Sequence, residues 1–353
     1  MKEIAFVTGH CCIRVLKEAY TLVVQDGWKI HLIVGGEIFG PLTATRDKYM
    51  PMFESINFYS TQNQLEQAIR LISKKVYVFH VHNEPSWPVT KIRELIPDSK
   101  IILDYHDSNY WRAEEKSWPE EDVACQCADG FIVPSDACKK ELEQRTDKSI
   151  AVLPSACPYE WYRHIQHGAG GGIVSQGGHT VQEIGGGEWR DYTDIYSALR
   201  GKVSVFACSP QFTHNPEAPS KNVYITKHYE QMGVHISNFP YDHLLNVLGN
   251  FHWNLVGNWK KNGKRHKVWD YSNPNKFYDA IAAGIPSVVF GVPEVESIVG
   301  QCDIGLVCKS PSELLSKWDC HIAKRKNLMM TRKKFSMENY IQSAINMYQE
   351  MGK

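Results

Sequence analysis

Short apolar segments alternate with helical segments along the first half of the sequence, and this alternation is the strongest constraint on the fold. Residues 4–8, 29–34, 76–82, 101–105, 131–133 and 151–153 have the pattern of buried strands, and residues 14–25, 62–73, 90–95, 122–127 and 136–145 have helical spacing. Strands that are separated by helices are joined by right-handed crossovers into a mostly parallel sheet. The first half therefore predicts a doubly wound α/β domain.

The alternation begins again after a glycine-rich polar stretch at residues 164–172. Strands are predicted at residues 172–175, 203–207, 221–225, 234–236, 253–256 and 287–290, and helices at 191–199, 241–248, 276–283, 294–299, 311–317 and 337–351. A chain of 353 residues has room for two such units. We predict two Rossmann-like domains, residues 1–165 and 166–335, facing each other across a cleft, and a C-terminal helix (336–353) that packs back on the first domain.

Charge is divided unevenly between these halves, although the whole chain has a net charge of zero. Residues 1–165 carry 19 basic and 23 acidic side chains, and the remainder carries 20 basic and 16 acidic ones. The basic residues of the second half concentrate at 260–267 and 324–334. A polyanion such as a nucleotide diphosphate suits the second half better, the alternative being two ordinary solvated faces.

Several classes of protein are disfavoured by the sequence. Its apolar runs are far shorter than the ~20 residues that a membrane span needs, and the start MKEIAFVTGH lacks the pattern of a secretion signal. The ten cysteines do not form paired C-x2-C motifs, which favours reduced, buried thiols. We expect a cytoplasmic protein with no cofactor and no metal site.

The segment NPNKFYDAIAAGIPSVV at residues 273–289 carries the most chemistry. Its helix begins with Lys276, a cation at the positive end of the helix dipole, which a bound phosphate would justify. Asp279 lies one turn further on and could accept hydrogen bonds from ribose hydroxyls, and the alanines that follow allow a ligand to approach closely. A capped amphipathic helix with a solvated lysine and aspartate is the alternative.

This segment resembles the nucleotide-binding signature of GT-B glycosyltransferases, especially family 4, in which an acid is followed by a small-residue helix, Gly-x-Pro and a strand. Other segments resemble the same family in the same order along the chain, namely 14–19 with 26–29, 103–107, 128–135, 152–154 and 174–178. The sequence departs from the family at one position. Many members have another acid eight residues before the acid that corresponds to Asp279, but here that position is Tyr271, with Asp270 beside it.

The resemblance implies a glycosyltransferase that uses a nucleotide-sugar donor and retains the anomeric configuration. The sequence shows no convincing aspartate pair or cysteine–histidine cluster, so we expect activity without a metal. The resemblance also implies that His106, in the segment LDYHD, contacts the donor sugar or phosphate, and that Lys276 stabilises the departing diphosphate. These two are the candidate catalytic residues. Lys276 and Asp279 are also candidate nucleotide contacts.

Loops after predicted strands supply further candidates. Gly9 follows the first strand, and Gly177 with Gly178 follows the first strand of the second half, where glycine lets backbone amides approach phosphate oxygens. Asn238 and Phe239 follow another strand and could cover the nucleobase. On the acceptor side the candidates are Arg14, His82 and Asn83.

His80 and His82 flank a valine on one predicted strand. We expect only one of their imidazoles to face the ligand side. A metal site would need a third ligand, and no residue at a suitable spacing is evident.

Three reactions stay open at this point. The family resemblance favours transfer to a glycan or a lipid-linked glycan. The alternative is transfer to a hydroxymethylated base in DNA, as in phage enzymes. In that case the basic runs 260–267 and 324–334 would contact the DNA phosphates. Epimerisation of a sugar nucleotide on the same fold is the third.

Overall fold

Two separate parallel sheets organise the chain. The computed structural model describes residues 2–35, 48–83, 85–165, 168, 170–185 and 187–352. The chain divides into two compact units, one formed by Met1–Pro158 with Met337–Lys353 and the other by Tyr159–Ser336. The break therefore falls seven residues before the predicted boundary at 165, and the C-terminal segment groups with the first unit.

The first unit contains seven strands and seven α-helices within its described residues. The strands are β1 (Glu3–Thr8), β2 (Lys29–Gly35), β3 (Ser55–Tyr59), β4 (Val78–His82), β5 (Lys100–Asp104), β6 (Gly130–Val133) and β7 (Ser149–Val152). The helices are α1 (Ile13–Asp26), α2 (Gln62–Ile72), α3 (Trp87–Leu95), α4 (Asn109–Arg112), α5 (Pro119–Cys127), α6 (Asp136–Leu142) and, at the C-terminus, α16 (Ile341–Met351). All strands pair in parallel, in the order β3-β2-β1-β4-β5-β6-β7.

The second unit repeats the architecture with six strands in its described residues, β8 (Ile173–Gln176), β9 (Val205–Cys208), β10 (His235–Ser237), β11 (Trp253–Gly257), β12 (Ser287–Phe290) and β13 (Gly305–Val307). Its helices are α7 (Tyr159–Tyr162), α8 (Thr193–Leu199), α9 (Ser220–Gln231), α10 (Tyr241–Leu248), α11 (Val268–Tyr271), α12 (Asn275–Ala283), α13 (Pro293–Cys302), α14 (Pro311–Ser316) and α15 (His321–Thr331). The parallel order is β10-β9-β8-β11-β12-β13.

Local signals explain where key helices begin and end. A capping box closes the start of α2, in which the Thr61 and Gln64 side chains each bond the other's backbone. Gly27 ends α1 and Gly284 ends α12, both in the left-handed conformation that glycine adopts without strain. The two glycines fix where these helices end, and the helices carry Arg14, Lys276 and Asp279 among the candidate site residues.

One predicted element is wrong. Residues 221–225 were expected to form a strand, but they belong to α9. Ile225 and Tyr229, four residues apart, are the fully buried apolar positions of that helix, so the period is helical once the polar residues beyond 225 are included. Two strands, β3 and β13, were missed because β3 is only half-buried and β13 has three residues.

The C-terminal helix α16 is fixed to the first unit by specific contacts. Ser343 Oγ donates to the Val152 carbonyl at 2.8 Å, and the Tyr348 hydroxyl lies 2.8 Å from His80 Nδ1. Across the described residues, no helix is both long and apolar enough to span a bilayer.

Candidate active site

The sequence order of the first sheet reverses between β1 and β4, and the loops beyond their carboxyl ends hold several candidate residues. Open α/β sheets bind ligands at such a reversal. Gly9 follows β1, Asn83 follows β4, and His106 follows the adjacent β5. The Asn83 side chain is 3% exposed and accepts a hydrogen bond from the Asp107 amide at 3.2 Å, so it shapes the loop that carries His106.

His106 faces carboxylates with both of its ring nitrogens. Its Nδ1 lies 3.1 Å from Asp104 Oδ1, and its Nε2 lies 3.8 Å from Asp107 Oδ2. The side chain is 11% exposed, so part of the ring remains open to a ligand. Burial alone would lower the pKa of His106, but Asp104 outweighs it and holds that pKa well above its usual range.

Behind His106 lies a buried ionic cluster, formed by Arg14, Glu18, His80, His82 and Asp104, each at most 1% exposed. The Arg14 guanidinium donates to both oxygens of Asp104, at 2.7 and 3.1 Å, and to Ser155 Oγ at 2.8 Å. Its Nε also lies 2.9 Å from Glu18 Oε1. A bidentate arginine–carboxylate pair fixes the orientation of the carboxylate as well as its charge.

The two histidines of this cluster lie on the same face of β4, contrary to expectation. Residues two apart on a strand project to the same side, and the two imidazoles stack with their centroids 4.3 Å apart and 18° between their planes. His80 Nδ1 contacts Tyr348 Oη, and His82 Nδ1 lies 3.2 Å from Asp104 Oδ2. Both rings therefore belong to the interior of the unit.

Burial and pairing separate the charges of the cluster. Burial alone would raise the pKa of Asp104, yet Arg14 and His106 hold it well below its usual range. Burial raises the pKa of Glu18 to about 8. The positive charge of Arg14 opposes this rise, and the negative charge of Asp104 contributes to it. Burial, reinforced by His80, lowers the pKa of His82 to about 3. At neutral pH the ionised pair is thus Arg14 with Asp104, beside two neutral histidines.

Four members of this cluster bring potential metal-ligand atoms within 4.8 Å of one another, namely Glu18, His80, His82 and Asp104. The fold supplies the further ligands that the sequence left unseen. Their geometry does not suit one ion, because imidazoles stacked face to face cannot both direct in-plane lone pairs at the same point. Arg14, a cation, also already lies against both carboxyl groups. Metal-independent activity stays a prediction.

The structure places the acceptor-side candidates away from the surface. Arg14 is 0% and His82 1% exposed, and each is enclosed by the buried ionic cluster. Asn83 is 3% exposed and is engaged with the loop at Asp107. In this structure none of the three presents a free polar face to an incoming acceptor.

Sequence reasoning missed Glu121, which holds the loop after His106. The carboxylate accepts from Ser108 Oγ at 2.6 Å, from the Asn109 amide at 2.7 Å and from the Tyr110 amide at 3.1 Å. It also accepts a short hydrogen bond from the Tyr105 hydroxyl. Glu121 stands in an acidic run whose neighbours are mostly exposed, so no sequence pattern indicates that this member is 1% exposed.

In the second unit the strand order reverses between β8 and β11, and Gly177 and Gly178 follow β8 there. Gln176, the last residue of β8, donates through Nε2 to the Lys276 carbonyl at 2.9 Å. This bond holds the first turn of α12 beside the glycine loop. No side chain caps the start of α12, where Pro274 is the capping residue. Gly177 has φ +87°, a conformation that favours glycine.

Two cations lie beside this loop. Lys276 Nζ donates to the Tyr192 hydroxyl at 2.6 Å, and the Arg190 guanidinium is so close to Gly178 that a Cβ there would lie 3.0 Å from its Nη1. Burial, reinforced by the charges of Lys276 and Arg190, lowers the pKa of the adjacent His179 to about 3. Arg190 was not among the predicted residues, because thirteen positions separate it from Gln176 and no sequence pattern links it to the glycine loop.

The predicted ribose contact is buried and already engaged. Asp279 is 4% exposed, and its Oδ1 accepts from the Tyr241 hydroxyl at 2.6 Å. Tyr241 begins α10, directly after the turn that holds Asn238 and Phe239. The bond therefore ties the helix that follows this turn to α12.

Several basic residues that were considered for DNA contact bind within the protein instead. Arg265 forms an ion pair with Asp270, the acid beside Tyr271, so both side chains are engaged within the protein. Lys260 Nζ donates to the Asp191 carbonyl at 2.9 Å, Lys324 pairs with Asp303, and Arg325 donates to the Phe251 carbonyl.

No protein-family model matches the sequence, and no curated protein matches it. Solved structures do match. Alr3699/HepE from Anabaena, solved in complex with UDP and glucose, is similar with a TM-score of 0.69 and 10% identity over 99% of both chains. The chain has the GT-B fold.

Other structures of the GT-B fold are similar at lower scores. UDP-GlcNAc 2-epimerase from Neisseria meningitidis, bound to UDP-GlcNAc, gives a TM-score of 0.59 at 11% identity over 99% of this chain and 100% of the epimerase. AviGT4, a glycosyltransferase involved in avilamycin A biosynthesis, gives 0.55 at 12% identity over 99% and 98%. The prediction of two Rossmann-like domains of the GT-B fold is confirmed, and at these identities the likeness concerns the fold.

Proposed function

We propose that the chain is a glycosyltransferase that takes its sugar from a uridine diphosphate donor and binds the nucleotide on its second unit. The observation that carries this proposal is the placement of Lys276 and Arg190 beside the Gly177–Gly178 loop. Two cations, glycine amides and an uncapped helix start converge where a doubly wound sheet binds ligands. Diphosphate chemistry suits this arrangement.

The choice of uridine is supported by the neighbours of the same fold. Alr3699/HepE was solved with UDP and glucose and also with UDP-glucose, and the epimerase was solved with UDP-GlcNAc. In the proposed site, Lys276 and Arg190 bind the diphosphate and stabilise the charge that grows as the sugar leaves. Asp279, with Tyr241, supports the nucleoside, and Asn238 and Phe239 cover the base.

Within the same proposal, His106 contacts the donor sugar or phosphate. The partly open ring beside a deeply buried aspartate suits a residue that donates to an oxygen-rich ligand. The acceptor is proposed to be a glycan or lipid-linked glycan, and the sugar is proposed to be transferred with retention. Metal ions are not required in this scheme, and its setting is proposed to be the cytoplasm.

Sugar-nucleotide epimerisation is the second candidate, because an epimerase of this fold covers the whole chain with a TM-score of 0.59. Both candidates require the same nucleotide site. They differ in the product, since only transfer releases the free nucleotide diphosphate.

Calorimetric titration with UDP, GDP, ADP and CDP tests the nucleotide site. We expect one nucleotide, UDP, to bind clearly more tightly than the others. Lys276→Ala and Arg190→Ala should each weaken its binding by about 10- to 100-fold, the equivalent of one charge-assisted contact. Lys221→Ala, an exposed lysine of the same unit, is the matched control and should leave the affinity unchanged. Absence of binding by every nucleotide would remove the basis of the proposal.

A further inference from the structure

The environment of His106 determines how this residue can take part in a reaction. A neutral imidazole has one donor and one acceptor nitrogen, whereas the charged ring donates from both. In His106 both nitrogens face carboxylate oxygens, at 3.1 Å for Asp104 and 3.8 Å for Asp107. Nδ1 is within hydrogen-bond distance of Asp104, whereas Asp107 lies beyond that distance from Nε2 and acts on it through its charge, so Nε2 is the nitrogen that can donate to a ligand.

We propose that Asp104, fixed by Arg14, is a positioning residue that keeps His106 as a two-donor cation, so that His106 binds a donor oxygen by hydrogen bonding and does not serve as a base. This inference rests on the proposed function, since the ligand oxygen is that of a nucleotide sugar. It adds the chemical form in which His106 works and the residues that set it.

The cation is supported by a carboxylate that cannot move. Asp104 is 0% exposed, and both of its oxygens accept from Arg14. A carboxylate that is held in this way keeps its charge and its direction while a ligand binds. The Asp104 oxygen that accepts from Arg14 Nη2 at 3.1 Å, Oδ1, also faces His106 Nδ1.

Charged and titratable groups lie near His106 on every neighbouring element. They are His10 beyond β1, Cys12 before α1, Arg14 and Glu18 on α1, His80 and His82 on β4, Asp107 beyond β5 and Arg112 on α4. Burial lowers the pKa values of His10, His80 and His82, which leaves these rings neutral at pH 7. Arg14 and Arg112 are the opposing cations, but each is paired with a carboxylate, Asp104 and Asp107 respectively. The carboxylates therefore dominate at the His106 ring.

Nitrogen-15 NMR of histidine-labelled protein measures the form of the ring directly, without a substrate. The His106 signals are assigned by their loss in His106→Gln. We expect both ring nitrogens to be protonated at pH 7 and the ring to titrate above its ordinary value. A His106 ring with one unprotonated nitrogen at pH 7 would overturn the inference.

A pair of surface variants keeps the test independent of folding. Asp107→Asn removes the partly exposed carboxylate that faces Nε2, and we expect it to lower the pKa of His106. Asp98→Asn makes the same charge change at an exposed position before β5 and should leave that pKa unchanged. Asp104→Asn should lower the pKa further. If Asp107→Asn and Asp98→Asn shift the His106 signals equally, the local effect of the carboxylates on His106 is refuted, and the inference with it.

The pH dependence of donor turnover gives the functional readout. A cationic donor is lost as pH rises through the His106 pKa, so turnover should fall there, and this fall should move to lower pH in Asp107→Asn. A base would give the opposite slope. A measurement of UDP binding distinguishes failure of this inference from failure of the proposed function. If His106 is protonated but the protein does not bind UDP, only the proposed function is contradicted. If the protein binds UDP but His106 is neutral, only this inference is contradicted.

Discussion

The clamp formed by Glu121 gives a prediction whose size follows from the structure. Glu121→Gln keeps the shape of the side chain but replaces one acceptor oxygen by an amide. With its oxygen in the place of Oε1, the glutamine still accepts from Tyr105, Ser108 and Tyr110, whereas its NH2 group faces the Asn109 amide, which donates to Oε2 at 2.7 Å. The opposite orientation would lose three bonds, so the first is preferred.

The expected cost is one lost bond to a charged group, which is worth about 1.5–3 kcal/mol. The three remaining bonds also weaken, because a neutral acceptor forms bonds roughly half as strong as those of a carboxylate. We therefore expect the segment that follows β5, residues 105–112, to be destabilised by at least about 2 kcal/mol. At about 1.4 kcal/mol per decade, this corresponds to roughly 30-fold faster opening.

Hydrogen exchange followed by mass spectrometry reports that opening peptide by peptide. Glu121→Gln should accelerate exchange in residues 105–112 relative to the wild type, while the peptides of the second unit keep their rates. The neighbouring Glu120 is exposed, so Glu120→Gln makes the same chemical change without touching the loop. Equal exchange in Glu121→Gln and the wild type, or equal acceleration in both variants, would refute the assignment of Glu121 as the clamp.

Three further predictions concern the cluster, the nucleotide site and metal. The pKa of Glu18 is raised to about 8 in the folded protein, so the stability that its carboxyl group contributes is fully present below the unfolded pKa near 4.5 and is lost as pH rises through 8. The stability of Glu18→Gln relative to the wild type should therefore increase from pH 5 to pH 8.5. Thermal midpoints of the two proteins that change in parallel with pH would contradict this. Tyr241→Phe removes the hydrogen bond to Asp279 and should weaken UDP binding about tenfold without changing the effect of Lys276→Ala, whereas calorimetry that shows unchanged affinity would separate Asp279 from the nucleotide site. Activity should survive EDTA, and loss of turnover that Mn²⁺ or Mg²⁺ restores would show that a metal stabilises the diphosphate instead.

The fold was largely predictable because both sheets are parallel and their strands are short, apolar and separated by helices. The exceptions show where that signal fails. The segment 221–225 contains Val223, Tyr224 and Ile225, which suit a strand locally, and only the buried Tyr229 one turn later shows the helical period. Local propensity was overridden by packing over a longer window.

Within the candidate site, the residues that follow strands were predictable, because topology places strand ends at the ligand edge. Gly177 was predicted in this way, whereas His106 was predicted from the family resemblance and Lys276 from its place at the start of a helix. Arg190 and Glu121 were not, because they reach the site from loops and helices whose return path no sequence pattern specifies. The burial of Arg14 was also unforeseen, since its partner Asp104 is 90 residues away in the sequence.

The product formed from a UDP-sugar shows whether the chain transfers sugar to an acceptor. The protein is incubated with UDP-glucose or UDP-GlcNAc and a mixture of glycan acceptors, and the products are followed by NMR and mass spectrometry. We expect release of UDP together with an added hexose or N-acetylhexosamine mass on an acceptor, with strong reduction in Lys276→Ala and little change in Lys221→Ala. Conversion of the sugar nucleotide into its epimer without release of UDP, or no change in any sugar nucleotide, would contradict this expectation.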